Sequence, residues 1–347
     1  MIRLFLYVRI IFLFLTFLFF MPIDAFCNNN YNIYLYNDFY FSAENGHINK
    51  PIIKSHQPYY KIISAILNNN NMIPINITCK QEGYVFDNCE DGIILSLYDA
   101  SKICPEIAAF YSPFLFQDFN EISYIKEKFI KYIYETFKNK GFIMIGWTDD
   151  DFEYLFIRKN VIKISYNHNQ INISSIHNKK FSSYHDNYNS SISNIFQCNF
   201  FQSNMLEFNS KFRTQDIDIT CLTSKEIATL QLIRYLGNFI EQPVKYYSNL
   251  ILLNMKSPNI KKLVYTKIKN PAVDPNVDDI FIKRNMKYLK ALADYGVLKI
   301  IFDNYSTNYV SQQYKDRFLK NPDSLRLFNR IQYELSVYRK SGAPGGK

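Results

Sequence analysis

The sequence predicts an α/β fold in which most strands run parallel. Segments patterned as strands alternate along the chain with segments whose apolar residues recur every three to four positions, as in a helix. Ile93–Leu97 and Phe142–Ile145 are apolar throughout, which is typical of strands buried on both faces of a parallel sheet. Together these patterns predict a sheet covered by helices.

In the first half of the chain, the helix over Glu121–Lys138 is the clearest prediction. Its apolar residues fall on one face at spacings of three and four, and Gly141 lies just beyond it, where a left-handed helix end favours glycine. A weaker pattern of the same kind predicts a helix over Pro58–Leu67. Strands are predicted over Asn32–Tyr40, Met72–Cys79, Ile93–Leu97 and Phe142–Ile145.

The second half begins with a polar insert over residues 160–200, rich in Asn, Ser, His and Tyr, with short strands predicted at Val161–Tyr166 and Ile171–Ser175. A helix over Thr223–Tyr235 is predicted from its Thr223 or Ser224 cap and from Gly237 after its end. The remaining predictions are helices over Asp278–Tyr295 and Asp323–Arg339, strands over Leu250–Asn254 and Val297–Phe302, and a disordered tail over residues 341–347.

The length and charge of the chain limit its class. Its 347 residues suffice for two modest lobes or one large domain. The formal net charge is +9, but Lys and Arg are spread singly along the chain rather than in a basic stripe. A Lys-rich solvated surface is therefore favoured over a nucleic-acid-binding face, and no nucleic-acid partner is predicted.

The N-terminus is predicted to be a signal peptide comprising residues 1–27. Arg3 and Arg9 precede and flank an apolar run over Ile10–Met21, which is too short to span a bilayer comfortably. Ala25-Phe26-Cys27 supplies small residues for cleavage before Asn28. An uncleaved membrane anchor and a lipid-modified Cys27 remain open alternatives.

An exported chain can pair its cysteines, of which this sequence has six. Cys79 and Cys89 enclose a short loop and are the first candidate disulfide; Cys198 with Cys221 is a weaker second. Removal of Cys27 leaves an odd number, so at least one thiol stays free. The cysteine and histidine spacings match no zinc site, and no metal or other cofactor is predicted.

Few residues suggest chemistry by themselves. Trp147 follows a predicted strand, where α/β sheets bind ligands, and its ring is a candidate for stacking on a solute as well as for core packing. Asp149-Asp150-Asp151 reads as a solvated turn, because consecutive side chains on a strand cannot converge on one ion. The common catalytic motifs are absent from the sequence, so no enzymatic activity is predicted.

Five stretches, in order, resemble the solute-binding proteins of TRAP transporters. The most informative is the run from Gly92, GIILSLYDASKICPEIAAFYSPFLFQDFNE, with its Ser112-Pro113-Phe114-Leu115-Phe116 segment. The others are His56-Gln57-Pro58, Glu207–Asp218, Tyr246–Asn254 after a long helix placed at Thr229–Phe239, and Tyr288–Val297. No single motif is specific, but the ordered set extends over most of residues 32–338.

The resemblance implies a two-lobed periplasmic-binding-protein-like α/β fold with mixed, mostly parallel sheets and an interlobe cleft. It implies a periplasmic protein that captures a small organic solute and delivers it to membrane permease subunits. Tethering to the membrane through an uncleaved N-terminal segment is the alternative location. The alternative is an anchored or exported interaction protein on the same scaffold with a vestigial cleft. The predicted division is residues 28–156 plus 248–285 for lobe I, and 157–247 plus 286–340 for lobe II.

The resemblance also names candidate ligand-binding residues, and this chain departs from the family at the main one. Family members bind a carboxylate through an Arg, whose planar fork suits that group. In this chain Ser182 occupies the matching position, or a residue of Asn172-Ile173-Ser174 does. No Arg occurs between Arg158 and Arg213. The cleft therefore takes a neutral or less acidic solute, or has lost capture. The other candidates are Phe116, Trp147, Arg158, Lys159, Met205 and Thr223.

Overall fold

Strands and helices alternate along the chain in its computed structural model, which describes residues 31–36, 75–80, 91–162, 170–183, 192–258, 260–261 and 275–341. The strands are β1 (Tyr31–Tyr36), β2 (Ile75–Lys80), β3 (Gly92–Ser96), β4 (Phe142–Arg158), β5 (Gln170–Ile171), β6 (Lys180–Ser183), β7 (Asn199–Gln202), β8 (Ile219–Thr223), β9 (Leu236–Ile240), β10 (Lys245–Asn254) and β11 (Leu298–Phe302). The α-helices are α1 (Leu97–Ile103), α2 (Phe119–Asn139), α3 (Met205–Arg213), α4 (Ser224–Thr229), α5 (Pro275–Asp294), α6 (Asn304–Phe318) and α7 (Pro322–Lys340).

The strands form a mixed sheet in the order β2-β1-β3-β10-β4-β8-β6-β7, with β9 paired to β4 and to β11. β2, β1 and β3 run parallel to one another, as do β7, β6 and β8. Among the described strands, only β4 and β10 introduce antiparallel pairings, with each other and with β3, β8 and β9. The prediction of a mixed, mostly parallel α/β sheet is confirmed.

β4 joins the two parallel groups of strands. It is 17 residues long and pairs with β10 over residues 142–153, then with β8 over residues 153–157. The sequence predicts a strand only over Phe142–Ile145, because the polar run Thr148–Asp151 interrupts the apolar pattern. Pairing with β10 holds these polar residues in extended backbone, so one strand continues from its pairing with β10 into its pairing with β8.

The helix predicted over Glu121–Lys138 is confirmed as α2. The carboxylate of Asp118 caps it by accepting a hydrogen bond from the Glu121 backbone N–H at 2.9 Å. Its apolar face is buried against the sheet, with Ile122, Ile125, Phe129, Ile133 and Phe137 almost wholly covered. Gly141, with φ +88°, adopts the left-handed conformation expected beyond the helix end.

The helix predicted over Thr223–Tyr235 is correct only at its start. Thr223 is its cap, but α4 ends at Thr229. The family match that places a long helix over Thr229–Phe239 is also wrong, because β9 occupies Leu236–Ile240. Gly237 belongs to β9 and does not end a helix. A Cβ at Gly237 would lie 3.1 Å from the Cα of Lys159, so close strand approach explains the glycine.

The polar insert also differs from its prediction. Val161 and Ile162 lie outside any strand, β5 has two residues, and Ile173–Ile176 forms a 3-10 helix. The predicted signal peptide, the helix over Pro58–Leu67 and residues 342–347 lie outside the described residues and stay predictions. Within the described residues, every helix falls short of the length and apolarity needed to cross a bilayer.

The last two helices contact residues from the first half of the chain. In α6, the Tyr314 hydroxyl donates to the Ala108 carbonyl at 2.8 Å, and in α7 the Ser324 hydroxyl donates to the Pro105 carbonyl at 2.8 Å. The predicted helix over Asp323–Arg339 is confirmed as α7. Its contacts favour assigning α7 to lobe I rather than to lobe II, and the lobe boundaries themselves remain a prediction.

Candidate functional site

The carboxyl ends of the two parallel half-sheets meet the crossing strands at neighbouring points. Ser96, at the end of β3, pairs with Asn249 of β10. Thr223, at the end of β8, pairs with Glu153 of β4, which in turn pairs with Lys245. Ligands of open α/β sheets bind outside the carboxyl ends of strands where the topology switches. The candidate site therefore lies over residues 148–153 of β4 and 245–249 of β10.

A group of polar side chains is buried at this crossing, and we call it the junction cluster. Each member is at most 9% exposed, and they carry three carboxylates, one ammonium group, one thiol and two hydroxyls. Paired residues of adjacent strands project to the same face of a sheet, so Glu153, Lys245 and Thr223 form one row across three strands. The members are Asp151, Glu153, Cys221, Thr223, Ser224, Glu226 and Lys245.

An ion pair between Lys245 and Glu153 is the centre of the cluster. Nζ of Lys245 lies 3.5 Å from Oε1 of Glu153, and the two side chains are 3% and 0% exposed. The Lys245 ammonium group also lies 5.5 Å from the ring centroid of Tyr247. Buried charges are stable only with partners, and this ion pair is one of the contacts that stabilise the two residues.

Cys221 extends the pair on the Glu153 side. Its thiol donates to Oε2 of Glu153 at 3.4 Å. Burial, and then the negative charge of Glu153, raise the pKa of the Cys221 thiol well above its ordinary value. The thiol is therefore protonated at physiological pH and acts as a hydrogen-bond donor, not as a nucleophile.

The start of α4 supplies the remaining members. Thr223 and Glu226 form a capping box, in which the Glu226 N–H donates to the Thr223 hydroxyl oxygen at 3.2 Å and the Thr223 N–H donates to Oε2 of Glu226 at 2.8 Å. The Ser224 hydroxyl donates to Oδ2 of Asp151 at 3.3 Å. Thr223 is thus the one sequence-predicted site residue that lies in the junction cluster.

Phe116 lies on the other side of β10. It is buried, and its ring meets the ring of Tyr246 at 5.8 Å between centroids. Tyr246 alternates with Lys245 and Tyr247 along the strand, so it points to the opposite face. Phe116 therefore contributes to an aromatic core with Phe152 and Tyr246 behind the cluster.

Trp147 is also a core residue in this structure. Its buried ring packs edge-on against Phe110 with centroids 4.9 Å apart. Nζ of Lys126, from α2, lies 5.4 Å from the centre of the Trp147 ring and donates to the Trp147 carbonyl at 3.2 Å. Of the two roles left open by the sequence, packing beneath α2 is the one these contacts support.

The two basic candidates lie beyond the cluster at the end of β4. Nε of Arg158 donates to the Ile217 carbonyl at 3.0 Å, and Nη2 lies 3.5 Å from Oδ1 of Asp218. Lys159 is exposed, and its backbone N–H donates to the Tyr235 carbonyl. The guanidinium of Arg158 thus stabilises Ile217 and Asp218, the two residues that precede β8.

Ser182 and Met205 are separated from the cluster as well. Ser182 is fully buried in β6, and its hydroxyl donates to the Phe201 carbonyl at 2.6 Å and lies 3.1 Å from the Ser203 hydroxyl. Met205 is the first residue of α3 and is 40% exposed. Ser182, one of the two positions at which the resemblance expects a carboxylate-binding Arg, is therefore engaged with the backbone and hydroxyl groups of residues 201–203.

Sequence reasoning missed most of the junction cluster. A signal for two members was present, since Glu153 and Lys245 each interrupt an aromatic and apolar run, in Phe152-Glu153-Tyr154-Leu155 and in Val244-Lys245-Tyr246-Tyr247. A charge within a strand that is buried on both faces requires a partner. The sequence does not show which partner, because strand pairing brings Lys245 to a residue far away along the chain.

The weaker cysteine prediction is wrong. Cys198 and Cys221 are both buried and unpaired, and the Cys198 thiol donates to the Ile176 carbonyl at 3.2 Å. Burial raises the pKa of Cys198 to about 12. The Cys79–Cys89 pairing lies outside the described side chains and stays a prediction. Across the described residues, no three His, Cys, Asp or Glu side chains gather as metal ligands would.

Comparison with solved structures places the fold in a class. The chain matches a TRAP periplasmic solute-binding protein from Ochrobactrum anthropi with a TM-score of 0.65 at 11% identity, covering 90% of this chain and 97% of the other. A TRAP protein from Ralstonia eutropha H16 with bound (S)-2-acetolactate matches with a TM-score of 0.62 at 13% identity, covering 89% and 99%. A Bordetella pertussis extracytoplasmic solute receptor binding pyroglutamic acid matches with a TM-score of 0.60 at 9% identity, covering 87% and 99%.

These matches show that the chain has the two-lobed α/β fold of periplasmic binding proteins. Within that class, its fold is that of the TRAP solute-binding proteins, as the sequence resemblance predicts. No family model matches the sequence, and no curated protein matches it either. The likeness therefore rests on the fold, which has been kept at very low sequence identity.

Proposed function

We propose that this chain is an exported solute-binding protein of TRAP type. It captures a small organic solute in the crevice between its lobes and delivers it to a membrane permease. The observation that carries the proposal is a fold match over about nine-tenths of the chain, with a buried polar cluster at the carboxyl ends of both half-sheets. Matched TRAP proteins from Ralstonia eutropha and Xanthobacter autotrophicus hold small organic acids, acetolactate and β-D-galacturonate.

Closure of the two lobes on the solute follows from the strand topology. β10 borders the first half-sheet at β3, and β4 borders the second at β8. Small backbone rotations near the Tyr247–Ser248 irregularity between these two long strands therefore turn one lobe against the other. The junction cluster sits at that crossing. The residue division for the lobes is that predicted from the sequence, with α7 reassigned to lobe I by its contacts with residues 105–111.

The proposed role is binding without chemistry. The matched structures are described as binding proteins, and the buried thiol of the cluster is held protonated. Export through residues 1–27 agrees with the periplasmic location of the matched TRAP proteins. Retention of Ile10–Met21 as an anchor would tether the same binding protein to the membrane.

A thermal-unfolding screen of the purified protein tests the proposal. The panel contains sugar acids, pyroglutamate, the common amino acids, neutral sugars and small amines. A solute at a hundred times its dissociation constant stabilises the folded protein by about 2.7 kcal/mol, which raises the unfolding temperature measurably. A saturable shift with one class of solute supports the proposal. The absence of any shift across the panel would instead favour an interaction protein with a vestigial cleft.

A further inference from the structure

Phe114 lies where the two predicted lobes meet, and its backbone is strained. Its φ is +60°, in the left-handed region that an L-residue with a bulky side chain rarely adopts. Residues in such conformations persist only where their surroundings hold them, and they concentrate at clamps and switch regions. The contacts that hold Phe114 therefore indicate its role.

Predicted lobe II supplies those contacts. The Phe114 N–H donates to the Pro243 carbonyl at 3.1 Å, and the Phe114 ring lies 5.7 Å from the ring of Phe302 and 6.3 Å from that of Phe196. The rings of Phe196 and Phe302 stack on each other at 5.9 Å and are at most 1% exposed. Phe114, which is itself partly buried, thus packs against a buried aromatic pair of lobe II.

The residue after Phe114 is bound within predicted lobe I. The Leu115 carbonyl accepts a hydrogen bond at 3.0 Å from Nη2 of Arg339 in α7, the helix that packs on residues 105–111. The Leu115 N–H donates to the Ser112 carbonyl at 3.3 Å. Because lobe I binds Leu115 while lobe II binds the N–H and the ring of Phe114, a rotation of one lobe against the other acts directly on Phe114.

We propose that Phe114 is an interlobe latch, which holds the two lobes in the orientation of this structure without a solute. Its ring contacts and its hydrogen bond to Pro243 favour that orientation, whereas the strain of its backbone opposes it. When the lobes separate, Phe114 loses these contacts and its backbone returns to an ordinary negative φ. The strain therefore reduces the free-energy difference between the two states, so that a solute can shift their populations. This inference rests on the proposed lobe closure and goes beyond it by naming the residue that controls it.

The Phe114→Ala variant removes the ring and keeps the strain, so it should release the latch. Hydrogen exchange on the full chain without solute follows the peptide covering residues 298–303, in which the Phe302 N–H donates to Oε1 of Gln242 at 2.9 Å. We expect this peptide to exchange at least ~10-fold faster than in the unmodified protein. Phe114→Gly removes the strain as well as the ring, so its increase should be about 3-fold smaller. The radius of gyration from X-ray scattering should rise in the same order.

Two further variants keep the result interpretable. Phe302→Leu removes the contact from the lobe II side with a smaller loss of volume, so it serves if the Phe114 variants fail to fold. In it, the peptide covering residues 112–118 should exchange at least ~10-fold faster. Phe212→Leu breaks a buried aromatic pair within α3, where the Phe208 and Phe212 centroids are 5.8 Å apart, and should leave both peptides and the radius of gyration unchanged.

The outcomes separate the latch from a general loss of stability. Faster exchange at the lobe contact, with a larger radius of gyration and an unchanged rate in the α3 peptide, supports the latch. Unchanged exchange and radius of gyration in Phe114→Ala and Phe302→Leu overturn it, as does an equal acceleration at α3. None of these measurements needs a solute, so the latch can fail while the solute screen succeeds, and the solute screen can fail while the latch stands.

Discussion

At the scale of single residues, Phe114 combines an unusual backbone with contacts across the molecule. Its φ is +60°, in the left-handed region that bulky side chains rarely adopt. Its N–H donates to the Pro243 carbonyl at 3.1 Å, and its ring lies 5.7 Å from the ring of Phe302 and 6.3 Å from that of Phe196. The Pro-Phe-Leu-Phe segment thus connects the predicted lobes through one strained residue.

The backbone at Phe114 is testable by comparing two truncations. Phe114→Ala and Phe114→Gly both lose the ring contacts, but only Gly relieves the left-handed strain. We expect the glycine variant to be more stable than the alanine variant by about 0.5–1 kcal/mol in urea unfolding. Phe116, whose φ is not positive, serves as the control, and there Ala should be the more stable replacement. The same order at both positions would contradict the argument.

At the scale of elements, an arginine of α7 forms hydrogen bonds to the start of α2 and to the segment before α2. Nε and Nη2 of Arg339 donate to the two oxygens of Glu121 at 2.6 and 2.8 Å, and Nη2 also donates to the Leu115 carbonyl at 3.0 Å. Glu121 is 4% exposed, so its carboxylate relies on this forked contact. The two helices and the Pro-Phe-Leu-Phe segment are thereby held as one unit.

Replacement of Arg339 by Met should destabilise the protein by about 2 kcal/mol, because it leaves a mostly buried carboxylate with fewer donors. Urea unfolding followed by circular dichroism measures the change. Arg326→Met on the same helix is the matched control. Arg326 pairs with Asp323 at 3.0 Å on the surface, and its loss should change stability by less than about 0.5 kcal/mol. Equal effects of the two substitutions would refute the role given to Arg339.

At the scale of the whole molecule, β10 is the longest of the strands that the structure describes as buried at every residue. All ten of its residues are buried, and it pairs with β3 on one side and with β4 on the other. β7, in contrast, pairs only with β6 among the described strands and is largely exposed. The backbone hydrogen bonds of β10 should therefore be among the last in the sheet to break as the protein unfolds.

Hydrogen exchange measured by mass spectrometry tests that order. Peptides covering residues 245–254 should exchange at least ~100-fold more slowly than peptides covering residues 199–202, because their amides open only with the whole sheet. Peptides from α7 should fall between these limits. Comparable rates in β10 and β7 would show that the crossing is a weak point of the fold.

Periodicity and caps predicted the parts of the fold that depend on neighbours in sequence. The apolar face of α2 and the Thr223 cap of α4 required only residues within a few positions of each other. Predictions failed where distant contacts decide, as at Gly237, which follows a helical pattern but belongs to β9 because that segment pairs with β4 and β11. The family resemblance named the fold correctly, and of its site residues only Thr223 lies in the junction cluster.

The sequence by itself determined that the chain is α/β, that it alternates strands with capped amphipathic helices, and that its pattern of motifs resembles TRAP solute-binding proteins. Only the tertiary structure decided where the candidate site lies. Lys245 and Glu153 are separated by some ninety residues and meet because β10 pairs antiparallel with β4. The reason is physical: local patterns report what each segment buries, whereas the partner of a buried charge is set by which strands lie side by side.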